Sequence, residues 1–382
     1  MQNRNGDTNK QPNPAPRSLT SRRDLLRTGG AVVAGTLVGA VSTTAEGSLA
    51  PPFETRAFPV YFPLAGFTPD IDLAGKLAVI TGASRGIGRA TAEALVARGA
   101  TVIGTSRDVG GVPNPPSSFE LLDLDITSDT SVNSFVSALL AHPAYPGRVD
   151  ILINNAGRYV IGTIAPPPIA TDPSGFFMQQ SEIGVETLYK GHMRVTNRLL
   201  PHMAQAGYSR LLFTVSSNAY FVGGSPAEAV FADGILSFQN VYTSAKRALL
   251  AYANNLRGFL RASGSPIKVS AVNPYAIRTT LAEGLNPIYT EPVDGNGNSP
   301  WNPFLQAVLD GVRASLQNAL PPSFVGETYA QLLSMSDPYP NVAVASPSDP
   351  ATAAGVAFFN DVVKAENEEA ALRLGSAPSG WR

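Results

Sequence analysis

Tyr242 and Lys246 stand four residues apart in Tyr242-Thr243-Ser244-Ala245-Lys246, near the start of an apolar-periodic stretch that reads as a helix over 241–263. At that spacing the phenol and the ammonium share one helix face. A free tyrosine, with a pKa near ~10, is no base at neutral pH unless a cation stabilises its phenolate. Lys246 is placed to be that cation, so the pair has the makings of an acid/base device. Upstream, Arg210-Leu211-Leu212-Phe213-Thr214-Val215 is an apolar strand followed by two hydroxyls, Ser216 and Ser217. That is the carboxyl edge at which α/β sheets bind ligands.

A second constellation precedes it. Thr81-Gly82-Ala83-Ser84-Arg85-Gly86-Ile87-Gly88 lies between a short apolar strand and a helical stretch. Gly82, Gly86 and Gly88 allow a tight turn, close approach of a pyrophosphate to the backbone, and tight helix packing. The helix start offers free N–H groups and a positive dipole to phosphate. The second strand ends in Thr105-Ser106-Arg107, without the carboxylate that holds a ribose 2′-OH in NAD-preferring folds. Arg107 and Arg85 have the charge and geometry to clamp a 2′-phosphate instead. The expected cofactor is therefore NADP(H), with NAD(H) as the alternative because Asp108 follows directly.

The elements that must hold these residues follow from periodicity. Strands are expected over 76–80, 101–105, 119–124, 150–154, 210–215 and 267–272. Helices are expected over 87–98, 131–141, 181–205 and 241–263. The strands are too apolar to face water on either side, so they belong in a parallel sheet covered on both faces. The fold class is α/β, a doubly wound parallel sheet of Rossmann type with six or seven strands. It forms a single domain over 76–279, with a Pro-rich arm over 46–75. Residues 280–350 break the rhythm around helical pieces near 302–319 and 326–335 and read as a lid-like insertion on the substrate side. A helix and tail complete 351–382.

Composition removes other chemistries. Of 382 residues none is cysteine and three are histidine (His142, His192, His202). Disulfides, thiolate nucleophiles and a His-based triad or metal site have little raw material, and no metal is expected. A net charge of -1 with no basic block argues against nucleic acid as a partner.

Residues 1–20 are polar. Ser21-Arg22-Arg23-Asp24-Leu25-Leu26-Arg27 and the uncharged small-residue run from Thr28 to Ala45 have the order of a twin-arginine (Tat) export signal, residues 1–45. The expectation is a periplasmic or extracellular protein without a stable membrane span after cleavage, an uncleaved anchor being the alternative.

From about Lys76 to Thr279 the chain resembles the short-chain dehydrogenase/reductase family. The resemblance rests, in order, on TGASRGIG (81–88), Asp125-Ile126-Thr127, Asn154-Asn155-Ala156-Gly157, Ser216-Ser217, Tyr242-x-x-x-Lys246 and Asn273-Pro274. It implies Tyr242 as general acid/base, Lys246 as its pKa partner and a ligand of the nicotinamide ribose, and Ser217, the second of its pair, as the donor that orients a carbonyl. It implies cofactor contacts from Gly82, Ser84, Arg85, Gly86, Ile87, Gly88, Arg107, Asp125 (near adenine), Asn155, Ala156, Gly157, Tyr242, Lys246, Pro274, Ile277 and Thr279, with Thr279 against the carboxamide. Dimers or tetramers through the later helices are the family's common form.

The chain departs from the family near the substrate end. Counting back from Leu199-Leu200-Pro201, Leu188 takes the place of the asparagine in the family's catalytic tetrad. Tyr189 and Asn218 are candidate substitutes. Tyr275 replaces the glycine of the family's Pro-Gly, and a loop over 220–238 is added. The expected activity is hydride transfer between NADP(H) and a secondary alcohol or its ketone. Phe221, Phe231, Tyr289, Trp301 and Phe304 point to an apolar substrate. The alternatives are a non-catalytic cofactor-binding or scaffold protein, and an epimerase or dehydratase with tightly held NAD(P).

Overall fold

In the computed structural model the described residues are 66–160, 176–220, 240–275, 277–279 and 319–344. The export signal, most of the arm, the 220–238 loop beyond Tyr220 with Phe221 and Phe231, and Tyr289, Trp301, Phe304 and the final helix lie outside them.

The first strand, β1 (Leu77–Ile80), is four apolar residues, all buried. Alternation sends Leu77 and Val79 to one face of the sheet and Ala78 and Ile80 to the other. Each face needs its own helical cover, which is why the strand reads as continuously hydrophobic. Helix α1 (Gly86–Val96) returns the chain to β2 (Thr101–Ser106), followed by β3 (Glu120–Asp123), α2 (Asp129–Ala141) and β4 (Ile151–Asn154). Helix α2 is capped by Ser128, whose hydroxyl accepts from the Ser131 N–H. Then come α3 (Phe176–Val185), a π-helical turn (Glu186–Lys190), α4 (Gly191–Met203), β5 (Ser209–Thr214), α5 (Asn240–Ala262) and β6 (Ile267–Pro274).

Seven strands form one all-parallel sheet in the order β3-β2-β1-β4-β5-β6-β7. The strand order reverses between β1 and β4, which opens the crevice where such sheets bind ligands. Val132, Phe135, Val195, Leu199 and Leu249 from α2, α4 and α5 cover one face. Ala92 and Leu95 of α1, with Val325 and Tyr329, cover the other.

Two expectations change. The helix expected over 181–205 is interrupted by the π turn at Glu186–Lys190, with Leu188 buried inside it. Residues 319–344, expected within the lid-like insertion, instead complete the core. Helix α6 (Pro322–Leu333) packs on α1, where a side chain at Gly326 would meet the Ala90 carbonyl carbon at 2.7 Å. Strand β7 (Asn341–Val344) pairs with β6, every residue buried. A four-residue strand set among Pro and Asn carries too little periodicity to announce itself. At the end of the arm, Leu73 enters the core and Asp70 accepts from the Ser336 N–H and hydroxyl, both at 2.9 Å.

Candidate active site

The glycine turn is built by exclusion of side chains. Gly82 has φ +67°, and a Cβ there would lie 2.8 Å from the Ala156 Cα. A Cβ on Gly88 would lie 2.3 Å from the Gly82 carbonyl oxygen and 2.5 Å from the Asn155 amide nitrogen. Helix α1 therefore begins against the sheet with no room between. Its N-cap, Arg85, makes no side-chain cap, so the first N–H groups face the crevice as an anion cradle.

Asn155 ties this turn to the neighbouring strands. Its backbone N–H and that of Ala156 donate to Thr81 Oγ1, each at 2.9 Å, and its side-chain amide donates to the Thr81 and Gly82 carbonyls. Asn155 Oδ1 accepts from Thr214 Oγ1 at 3.2 Å, and the Tyr329 hydroxyl donates to that same Thr214 oxygen. The Thr214 carbonyl in turn accepts from Lys246 Nζ at 2.8 Å. One chain of hydrogen bonds thus runs from the glycine turn to the lysine. Its outer anchor, Tyr329, comes from the segment expected to be a lid.

Tyr242 and Lys246 are 7% and 4% exposed, on the first turns of α5, with the ammonium 5.9 Å from the phenol ring centre. Burial pushes the Tyr242 phenol up, and a hydrogen bond with Ser216 pulls it partly back. Burial brings Lys246 down to about 7, so the lysine exchanges its proton near neutrality. The serine in contact with the phenol is thus Ser216. Ser217, the expected carbonyl donor, is buried at the start of a short 3-10 turn (Ser217–Tyr220). Tyr159 packs its ring on that of Tyr242.

The other expected cofactor residues are distributed along the same edge. Thr279 sits against Gly86, its Cγ2 3.5 Å from where a glycine Cβ would stand, and Ile277 bridges to Leu320. Pro274 closes β6 opposite Val344. Asp125 accepts from the Thr127 N–H and hydroxyl, which fixes the turn after β3. Ser84 and Ile87 are half-buried, and Arg85 and Arg107 are exposed. Asp108 turns its carboxylate onto the Gly111 N–H at 3.0 Å, back into its own loop. The uncapped helix start, the glycine contacts and the free edge fit a dinucleotide. Gly157 faces Leu188, 3.4 Å from a built Cβ. The Tyr189 ring meets Tyr252 edge-on in the core, and the Asn218 side chain is outside the described residues.

Sequence reasoning missed Tyr159, Thr214 and Tyr329 here, and gave no role to His192. His192 is fully buried one turn after Leu188, and that four-residue spacing was the available signal.

Comparison with known proteins agrees with this geometry. The family described as short chain dehydrogenase matches residues 76–289. Mouse retinol dehydrogenase 14 is 30% identical over 66% of this chain and 75% of its own length. The 3-oxoacyl-(acyl-carrier-protein) reductase of Salmonella typhimurium is 32% identical over 56% of this chain and 78% of its own. A short-chain dehydrogenase structure from Streptomyces avermitilis superposes with a TM-score of 0.56 at 25% identity, covering 79% of this chain and 98% of that one. With a glycine turn at the point where the sheet order reverses, a buried tyrosine–lysine pair and matches of this extent, the chain belongs to the short-chain dehydrogenase/reductase family of NAD(P)-dependent oxidoreductases.

Proposed function

We propose that the protein is an NADP(H)-dependent reductase or dehydrogenase that interconverts a secondary alcohol and a ketone. The observation that carries the reading is the buried pair on α5, with Lys246 held by the Thr214 carbonyl and poised near neutrality beside Tyr242. The nicotinamide cofactor supplies the hydride to the carbonyl carbon, or receives it in oxidation. In reduction Tyr242 donates its phenol proton to the carbonyl oxygen, and in oxidation its phenolate takes the hydroxyl proton. A protonated Lys246, its Nζ 5.9 Å from the phenol ring centre, favours that phenolate electrostatically. Ser217 orients the carbonyl oxygen, and Ser216 holds the phenol.

Preference for NADP(H) rests on Arg107 and Arg85, both exposed at the adenosine end, and on Asp108 being engaged by Gly111. The twin-arginine order of residues 21–45 supports export. The substrate is a small molecule of apolar character, on the strength of the aromatic residues in 220–238 and 280–340.

The test is titration of the purified protein with NADPH and with NADH by fluorescence, followed by loss of NADPH absorbance with a panel of aliphatic and aromatic ketones. Tight NADPH binding with consumption of one ketone class supports the reading. Binding of neither nucleotide overturns it.

A further inference from the structure

We infer that His192 is the positioning residue that holds Lys246, in the place left by the apolar Leu188. The inference rests on the reading of Tyr242 and Lys246 just given. His192 is 0% exposed, and neither ring nitrogen has a hydrogen-bond partner among the described residues. A buried polar ring left in this state costs on the order of a hydrogen bond or more, so it calls for a reason. The helix supplies one. Leu188, His192 and Thr196 follow at four-residue intervals and are all buried, and Thr196 Oγ1 accepts from the Asn154 amide at 2.9 Å. Asn154 pairs with Phe213, the residue before Thr214, whose carbonyl holds Lys246. The imidazole thus lies on the helix face that carries Thr196 to Asn154, and it feels the Lys246 charge.

The donors and acceptors match. Burial, and then the Lys246 charge, take the imidazole down to about 3, so it is neutral at any working pH. A neutral ring has one acceptor nitrogen and one N–H. Lys246 has donors beyond the one that meets Thr214, and Asn154 Oδ1 is a buried acceptor without a partner among the described residues. Lys246 donates to the bare ring nitrogen, the ring N–H donates to Asn154 Oδ1, and Asn154 donates to Thr196. This line braces the ammonium in addition to the Thr214 carbonyl. Leu188 offers neither donor nor acceptor, and Tyr189 is committed to Tyr252.

The experiment uses ring-15N histidine spectra of the full chain, in which three histidines keep the signals separable and His192→Leu assigns the one in question. The expected result is one neutral tautomer with an exchange-protected N–H, whose bare nitrogen shifts when Lys246→Met removes its donor. A bare nitrogen indifferent to Lys246→Met overturns the inference. This arm needs neither cofactor nor substrate, so it stands even if the proposed activity fails. In turnover, His192→Leu is expected to lower kcat by about tenfold or more, with His192→Asn and both NADPH Kd values within about threefold of the parent. Full activity in His192→Leu, or equal losses in both variants, sinks it.

Discussion

Tyr159 lies against Tyr242, ring centroids 4.8 Å apart and planes inclined at 41°. Tyr159 stands two residues after Gly157, so the segment that braces the glycine turn also covers one side of the Tyr242 phenol. Such a contact is worth about 0.5–1.5 kcal/mol beyond burial. Tyr159→Ala is expected to lower kcat/KM up to about tenfold and to leave NADPH affinity unchanged. Steady-state kinetics beside a binding titration separates the two, and an effect on affinity alone would rule the contact out as part of the substrate site.

Ser216 and Ser217 differ in what they touch, and their variants should differ in kind. The Ser216 bond pulls the Tyr242 phenol down against the effect of burial. Removing it in Ser216→Ala leaves the phenol protonated to higher pH. Alcohol oxidation, which needs the phenolate, should then shift its pH profile upward, while ketone reduction should persist further into base. Ser217→Ala should instead lower kcat in both directions by about a hundredfold without moving the profile. Tyr242→Phe should abolish turnover with NADPH binding intact. Retained rate in that last variant falsifies the acid/base assignment.

Arg107 directly follows β2 and is exposed, next to an Asp108 whose Oδ1 accepts from the Gly111 N–H. A 2′-phosphate placed there meets the guanidinium, with the neighbouring carboxylate turned toward its own loop. Arg107→Glu should weaken NADPH binding by about ten- to a hundredfold and change NADH binding little. Equal weakening of both nucleotides would show that the residue senses the shared pyrophosphate instead.

The sheet was readable because its strands are buried on both faces, which leaves runs such as Leu77–Ile80 with no polar interruption. The glycine turn was readable for a related reason, since Gly82 and Gly88 stand where no Cβ fits. Which serine meets the phenol was not. It depends on the direction each hydroxyl takes as β5 gives way to the turn at Ser217, and successive residues point opposite ways. Nor was the role of 319–344, because Pro321, Pro338 and Pro340 flank elements whose burial comes from partners far off in sequence. His192 looked like any histidine on an amphipathic helix until its two nitrogens were found without partners among the described residues.

Lys246 also makes a prediction about stability. Its pKa is about 7 in the fold, against about 10.4 in an unfolded chain. Between those values the unfolded state binds a proton that the native state does not, so stability rises with pH through this window. Below about pH 7 both states hold the proton, and the native state bears the full cost of a buried ammonium, of the order of a few kcal/mol. Urea unfolding of the cofactor-free protein from about pH 6.5 to about pH 9 should therefore show increasing stability from this source. Lys246→Met removes the charge and keeps most of the volume, so the rise should flatten and the variant should be the more stable at about pH 6.5. Parallel pH curves for parent and variant would mean that Lys246 keeps its proton in the fold, and with it that the lysine does not exchange near neutrality.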